Sequence, residues 1–181
     1  MSKVFVETER LILRDWCDAD RAVFASMNAD PEVMRHFPAT QSAEESNASV
    51  DRCRARIRDD GFGFWAAELK ETGAFIGFIG IQKAPDYLPC APAIEIGWRL
   101  LPLVWGRDLA TEGAKGALAY AFENLGANEV IAITTVGNAA SRRVMEKIGM
   151  SRDLAGDFDH PMVPERSPIR PHVLYRIRRP A

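Results

Sequence analysis

The chain lacks the residue patterns on which disulfide-rich and zinc-binding proteins depend. Its three cysteines, Cys17, Cys53 and Cys90, are widely spaced and form no CxxC pair, which argues against a disulfide framework and a structural zinc site. The three histidines also lack the spacing of metal ligands. We therefore expect reduced thiols and a chemistry that needs no metal ion.

Long apolar runs and an excess of basic charge are also missing. No apolar stretch approaches the roughly 20 residues that span a bilayer. The first residues, MSKVFVETERL, carry charges where a secretory signal has its apolar core. The formal net charge of −2 gives no support to nucleic-acid binding. These absences predict a cytoplasmic protein that has neither nucleic acid nor membrane as a partner.

The composition of the chain is that of an ordinary globular domain. Its 181 residues, 47% of them hydrophobic, predict a single domain over residues 1–181 with a sizeable core. The periodicity predicts a strand at RLILRDW, two helices, a hairpin over residues 62–83, and a strand near residue 95. A helix, the strand EVIAITT, another helix and two final strands follow, which makes an α/β fold. Four arginines at positions 52, 54, 56 and 58 spread around the second helix and predict a solvated surface.

Two short stretches turn a strand-like run into a helix. They are WGRDLATE, at residues 105–112, and NAAS, at residues 138–141. The start of a helix presents free backbone N–H groups and the positive end of the helix dipole, which suits a phosphate. Asn138 is predicted to be an N-cap, with Ser141 at the third helical position. Together the two turns predict a pocket for a long phosphorylated cofactor.

These turns, in order with TERLILRDW, NADPEVMRHF and IEIGW, resemble the GNAT acetyltransferase superfamily, most closely its RimJ/RimL-like branch. The resemblance covers nearly the whole chain. It implies the GNAT fold, a mixed central sheet of about seven strands with splayed central parallel strands at residues 93–100 and 129–135, and flanking helices. It also implies an acyl-CoA-dependent N-acetyltransferase that uses acetyl-CoA without a metal. The acceptor would be an amine of a small molecule or a protein N-terminus, attacking directly in a ternary complex.

The resemblance places the pyrophosphate of acetyl-CoA at the loop that enters the third long helix and the pantetheine arm between the splayed strands. Asn138 would bond one of these groups, although simple N-capping accounts for it equally well. The implied cofactor-binding residues are Trp98, Arg99, Leu100, Trp105, Gly106, Arg107, Asp108, Leu109, Ala110, Asn138 and Ser141.

Asp108 departs from the pattern of the family, which has a small residue at this position of the acyl-CoA loop. A glycine would allow unusual dihedral angles and close approach of the backbone, whereas an aspartate brings negative charge towards a diphosphate. Asp108 is alternatively an ordinary N-cap whose carboxylate accepts from the N–H of Ala110 or Thr111. Candidates to offset its charge are Arg107 and either Arg142 or Arg143.

The catalytic candidates are Glu95 and Ser141. Strand alternation places Glu95 on one face between the small residues Ala93 and Gly97, and we hypothesise that it is the general base. The alternative is a structural ion pair with an arginine such as Arg14 or Arg99. The resemblance implies that Ser141 protonates the leaving thiolate, against a purely local hydrogen bond at the start of its helix.

Several other site features stay open at the level of sequence. A backbone N–H near Trp98 or Arg99 would stabilise the oxyanion, and Glu112 is expected to be structural. Candidates for contact with the acceptor lie in or beside a proline-rich surface loop over residues 159–171, namely His160, Arg166, Arg170 and His172.

Two other functions remain open. They are a non-catalytic acyl-CoA sensor, and a protein whose cleft no longer takes CoA and which acts through a partner surface. The acceptor, the acyl-chain preference and the oligomeric state, including a homodimer, are not fixed by the sequence.

Overall fold

The computed structural model describes residues 2–180, which form one mixed sheet with helices on both faces. The strands lie in the order β1-β2-β3-β4-β5-β6-β9-β7, and β8 pairs with β9. They are β1 (Val4–Glu7), β2 (Leu11–Arg14), β3 (Phe64–Leu69), β4 (Ala74–Lys83), β5 (Ile94–Leu100), β6 (Glu129–Thr135), β7 (Ser151–Arg152), β8 (Phe158–Asp159) and β9 (Pro171–Arg178). The helices are α1 (Asp20–Ala29), α2 (Ala43–Asp60), α3 (Leu109–Glu123) and α4 (Ala139–Lys147).

Local signals fix several of these boundaries. The side chain of Ser42 accepts from the N–H of Glu45, whose carboxylate accepts from the N–H of Ser42, so a capping box begins α2. The helix ends at Gly61, whose φ of 82° is readily adopted only by glycine. β3 and β4 form the predicted antiparallel hairpin.

The predicted α/β fold is confirmed, but the sheet has nine strands in the described residues rather than about seven. The N-terminal segment forms a hairpin of β1 and β2. The expected strand near residues 151–158 is broken by a 3-10 turn, Leu154–Gly156, into β7 and β8. Asp30 followed by Pro31 predicts the start of a short helix. This prediction is wrong, because the Asp30 carboxylate accepts from the nearby N–H of Glu32 (2.8 Å) and the segment forms turns.

The central parallel strands diverge, as expected. β5 and β6 are paired only at Ile94–Val130 and Glu95–Ile131. Beyond this point β5 stays paired with β4 as far as Leu100, and β6 with β9 as far as Thr135. A gap therefore opens between two strands that are each held firmly on their outer side.

The two faces of the sheet are covered by different helices. α3 packs so closely on β2 and β4 that a Cβ added at Gly113 would lie 2.3 Å from Ile79 Cδ1. On the opposite face the Phe24 ring of α1 packs edge-on against Phe78. None of the helices in residues 2–180 is long and apolar enough to cross a membrane, and no cluster of metal-ligating side chains occurs in that range.

Candidate active site

A cavity of about 760 Å³ passes through the gap between β5 and β6. Its walls come from β5, β6, the first turns of α3 and α4, and the loops after α1 and after β8. It gathers most of the predicted residues: Glu95, Trp98, Arg99, Leu100, Trp105, Gly106, Asp108, Leu109, Ala110, Asn138 and Ser141. Arg107 does not line it.

The first turn of α3 lines this cavity and has backbone N–H groups without a partner in the helix. The first hydrogen bond of the helix runs from the N–H of Glu112 to the carbonyl of Asp108 (3.0 Å). The preceding N–H groups, those of Leu109, Ala110 and Thr111, therefore have no partner within the helix, and no side chain of residues 2–180 caps this end. Such a helix start is a site for an anion.

Asp108 adopts the left-handed conformation, with a φ of 59°, at the position where the family has a small residue. Its carboxylate does not fold onto the helix, so the predicted cap on Ala110 or Thr111 is wrong. It instead accepts from Lys147 Nζ at 2.6 Å, and this hydrogen bond lowers the pKa of Asp108. The backbone N–H groups thus remain available to a ligand.

The cation that offsets Asp108 is Lys147, which the sequence did not reveal. Arg107 lies 3.8 Å from the carboxylate of Glu71, and Arg142 donates to the hydroxyl of Tyr175 (3.3 Å). Arg143 does line the cavity. The prediction that Arg107 or Arg142 neutralises Asp108 is therefore wrong, because both side chains have other partners.

Glu112 is structural, as expected. Its carboxylate accepts from the Thr8 hydroxyl (2.6 Å), from the Arg10 N–H (2.7 Å) and from Arg10 Nε (2.6 Å). These bonds attach the turn between β1 and β2 to the first turn of α3.

The start of α4 is capped by Asn138, as predicted. Its Oδ1 accepts from the N–H of Ser141 (3.2 Å), and its Nδ2 donates to Thr134 Oγ1 (3.0 Å). The N-cap role is confirmed, and contact with a cofactor stays a prediction. Ser141 lines the cavity in the first turn of the helix.

Glu95 is partly buried at the other end of the cavity. Its Oε2 accepts from Gln82 Nε2 at 2.9 Å, and Arg56 donates to Gln82 Oε1. Burial raises the pKa of Glu95, and the hydrogen bond from Gln82 opposes that rise. A carboxylate in such surroundings is easier to protonate than one in water.

The alternative ion pairs of Glu95 are wrong. Arg14 binds Asp20 and Glu68 instead, and Arg99 donates to Asn28 Oδ1 (2.6 Å). Arg56 also differs from the solvated side chain that was predicted, because it reaches Gln82 and through it orients Glu95.

The backbone of β5 alternates between β4 and the gap. Ala84 donates to the carbonyl of Ala93 (2.8 Å) and Leu101 to that of Ile76 (2.9 Å), so odd-numbered residues of β5 face β4 and even-numbered residues face the gap. The N–H of Trp98 therefore points into the gap, whereas that of Arg99 points towards β4. Of the two, the geometry favours Trp98 for oxyanion binding.

β6 shows the same alternation from its own side. Val136 donates to the carbonyl of Pro171 (3.1 Å), and Arg179 donates to that of Asn128 (2.9 Å). Even-numbered residues of β6 thus face β9, and the backbone polar groups of Ile133 face the gap.

Of the four candidates in or beside the loop after β8, two reach the cavity: His160 in the loop and His172 in β9. His160 and His172 line the cavity with ring centroids 4.8 Å apart, and burial lowers the pKa of both. Arg166 does not line the cavity. Arg170 also lies outside it and donates to the carbonyl of Val163 (3.1 Å). Phe37, which also lines the cavity, was not predicted.

Comparison with known sequences agrees with this geometry. The acetyltransferase (GNAT) domain family matches residues 10–151. YkkB of Bacillus subtilis (strain 168), which has no assigned function, is 33% identical over 82% of this chain and 86% of its own length. The FsC-acetyl coenzyme A-N(2)-transacetylase of Aspergillus fumigatus is 32% identical over 81% of this chain and 64% of its own length.

Solved structures show the same fold. A GNAT-family acetyltransferase from Bacillus anthracis superposes with a TM-score of 0.79 at 25% identity, covering 98% of each chain. RimJ of Mycobacterium smegmatis, solved with CoA-disulfide, superposes with a TM-score of 0.73 at 19% identity, over 93% of this chain and 81% of its own. That likeness concerns the fold alone. The match of the family over most of the chain establishes that this protein belongs to the GNAT acetyltransferases.

Proposed function

We propose that the protein transfers the acetyl group of acetyl-CoA to an amine by direct attack in a ternary complex. One observation carries the proposal: a single cavity is lined by Glu95 and by Leu109, Ala110 and Thr111, whose backbone N–H groups have no partner within the helix. The candidate phosphate-binding site at α3 and the candidate base Glu95 thus lie along the same gap between β5 and β6.

The first turn of α3 fits the pyrophosphate of acetyl-CoA. Its N–H groups supply donors at the positive end of the helix dipole. The Asp108 carboxylate is held by Lys147 rather than placed on these donors. The backbone groups of Trp98 and Ile133, which face the gap, would hold the amides of the pantetheine arm. Bound there, acetyl-CoA supplies an activated acyl carbon and a thiol leaving group.

Glu95 would take the proton of the acceptor ammonium, directly or through water. Its raised pKa brings it closer to the working pH, where a general base is most effective. The N–H of Trp98 would stabilise negative charge as it develops on the acyl oxygen. Ser141 would donate a proton to the departing sulfur, from the wall of the same cavity.

The acceptor belongs to the same proposal. The name of the Aspergillus relative describes acetyl transfer from coenzyme A to a nitrogen of FsC, which supports an amine acceptor. Motifs of the RimJ/RimL-like branch make a protein N-terminus a second candidate.

Titration calorimetry with acetyl-CoA, run beside a thiol-release assay over a panel of amines, tests the proposal. We expect acetyl-CoA binding and thiol release that depends on the amine. Binding without any amine-dependent release would instead support a sensor of acyl-CoA. Absence of binding at millimolar acetyl-CoA or longer acyl-CoAs would support a protein that acts through a partner surface.

A further inference from the structure

We infer that the acetyl acceptor is an amine that also carries a carboxylate, which Arg99 binds while the amine lies near Glu95. The inference rests on the proposed function for the role of Glu95, but the binding of a carboxylate at Arg99 can be measured without any turnover.

Arg99 is a partly buried cation without an anionic partner. Its Nη1 donates to the neutral Asn28 Oδ1 (2.6 Å), and its Nε is buried without any hydrogen bond. No ion pair among residues 2–180 includes it. Burial lowers the pKa of Arg99 to about 10. An uncompensated buried charge is costly, and a native protein rarely retains one without a use.

Arg14 shows what this protein does with a buried arginine whose role is structural. Arg14 binds Asp20 at 2.9 Å and Glu68 at 2.6 Å, so two carboxylates surround it. Arg99 lacks any such carboxylate, although it lies in the same layer between the sheet and α1. The missing anion is therefore expected to come from a ligand.

The surroundings of Arg99 hold its guanidinium in place. Its Cζ lies 4.1 Å from the centroid of the Phe37 ring and 5.4 Å from that of Phe78, which stabilises the cation without neutralising it. Asn28 is itself fully buried and donates to Ser46 Oγ (3.0 Å). A fixed guanidinium suits the planar, two-oxygen geometry of a carboxylate.

The position of Arg99 relative to Glu95 suggests the length of the acceptor. The two residues lie on the same face of β5, four positions and therefore about 13 Å apart along the strand. Between them the Phe64 ring packs over Gly97, so an apolar ring rather than a polar side chain separates the two groups. An amine separated from its carboxylate by several atoms fits this wall better than an α-amino acid does.

The test compares matched amines in the thiol-release assay with acetyl-CoA. We expect 4-aminobutanoate and 6-aminohexanoate to be acetylated with a kcat/KM about 30-fold above those of 4-aminobutanamide and butylamine, which is the worth of one charge-assisted hydrogen-bonding contact. The substitution Arg99→Met should reduce this ratio to about threefold or less. Asn28→Asp should do the same while keeping the arginine, because it places a carboxylate on the guanidinium. Arg52→Met, an exposed arginine that contacts Ser49, is the control and should keep the ratio.

A second measurement separates this inference from the proposed function. Calorimetry without acetyl-CoA should show that 4-aminobutanoate binds the wild-type protein more tightly than 4-aminobutanamide, and that Asn28→Asp removes the difference. Equal binding and equal turnover of the two ligands in the wild type would overturn the inference, even if both are acetylated. So would a ratio that survives both substitutions, or a stronger preference for 2-aminoethyl phosphate. A preference for the carboxylate in binding alone would retain the Arg99 site and remove the proposed transfer.

Discussion

The two ends of the cavity offer different kinds of chemical group to a ligand. At the cofactor end, the groups offered to a ligand are backbone N–H groups at the start of α3, and the nearest ion pair, between Asp108 and Lys147, is exposed to solvent. At the proposed acceptor end, the groups available to a ligand are the side chains of Glu95 and Arg99, each hydrogen-bonded to a neutral amide. Backbone donors do not depend on residue identity, so we expect the cofactor end to tolerate Asp108. Specificity for the acceptor is therefore expected to reside in the side chains of the other end.

The largest effect is expected from Glu95→Gln, which removes the base and keeps the shape of the side chain. We expect kcat to fall about 10²- to 10³-fold, while acetyl-CoA binding at the other end of the cavity persists. In the wild type, activity should fall as the pH drops through the raised pKa of Glu95. Steady-state kinetics over pH checks this, and unchanged turnover across pH would remove Glu95 from the mechanism.

The same substitution should increase stability at neutral pH. Burial raises the pKa of Glu95 in the folded state above its value in the unfolded chain. The ionised carboxylate therefore destabilises the folded state fully at a pH above the folded-state pKa. This destabilisation is absent at a pH below the pKa of the unfolded chain. Glu95→Gln should therefore have a higher Tm than the wild type at pH 8. The difference should disappear towards pH 4. A lower Tm for the variant at pH 8 would contradict the assignment of Glu95 as a destabilising carboxylate.

Ser141→Ala tests the opposite wall of the gap. We expect kcat to fall about 10- to 100-fold because the leaving thiolate loses its proton donor. The loss should shrink for an acetyl thioester of a more acidic thiol, which leaves without help. Ser26→Ala is a matched control, because its hydroxyl bonds only the carbonyl of Ala22 in its own helix. Equal losses with both thioesters would assign Ser141 a structural role.

Changes at Lys147 and Asp108 sharpen the comparison at the cofactor end. Lys147→Met should weaken acetyl-CoA binding about 10-fold at low salt, because the charge of Asp108 is no longer offset, and less at high salt. Asp108→Gly should bind acetyl-CoA more tightly than the wild type, since glycine adopts a positive φ without strain. It should also abolish the effect of Lys147→Met in the double variant. Calorimetry measures all four proteins, and weaker binding by Asp108→Gly would contradict this account.

The smallest effect is expected from Gln82→Met. The Glu95 carboxylate then loses the donor that opposes its protonation, so the acidic limb of the pH profile of kcat should move up by about one pH unit. Arg56→Met should shift the limb in the same direction by less, because the charge of Arg56 lowers the pKa of Glu95 from a distance while its side chain donates to Gln82. Arg54→Met, on the same helix but paired with Asp18, should leave the limb in place. A limb that does not move in Gln82→Met would show that this hydrogen bond does not tune Glu95.

How well the sequence predicts a feature depends on how far apart in the chain the residues that form it lie. The capping box of α2, the hairpin of β3 and β4, and the Asn138 cap depend on residues a few positions apart, so the sequence predicts them. The Lys147–Asp108 pair joins residues 39 positions apart, and Arg99 meets Asn28 across 71 positions. Such contacts depend on which helix covers which face of the sheet, and the sequence alone does not specify that. Gln82 is opposite Glu95 only because of the register of β4 and β5.

The bonds between Glu112 and the turn formed by Thr8 and Arg10 have a consequence for engineering this protein. They attach the hairpin of β1 and β2 to α3, the helix whose first turn would bind the pyrophosphate of the coenzyme. We therefore expect a deletion or fusion that disturbs β1 and β2 to weaken coenzyme binding, although these strands would not themselves contact the coenzyme.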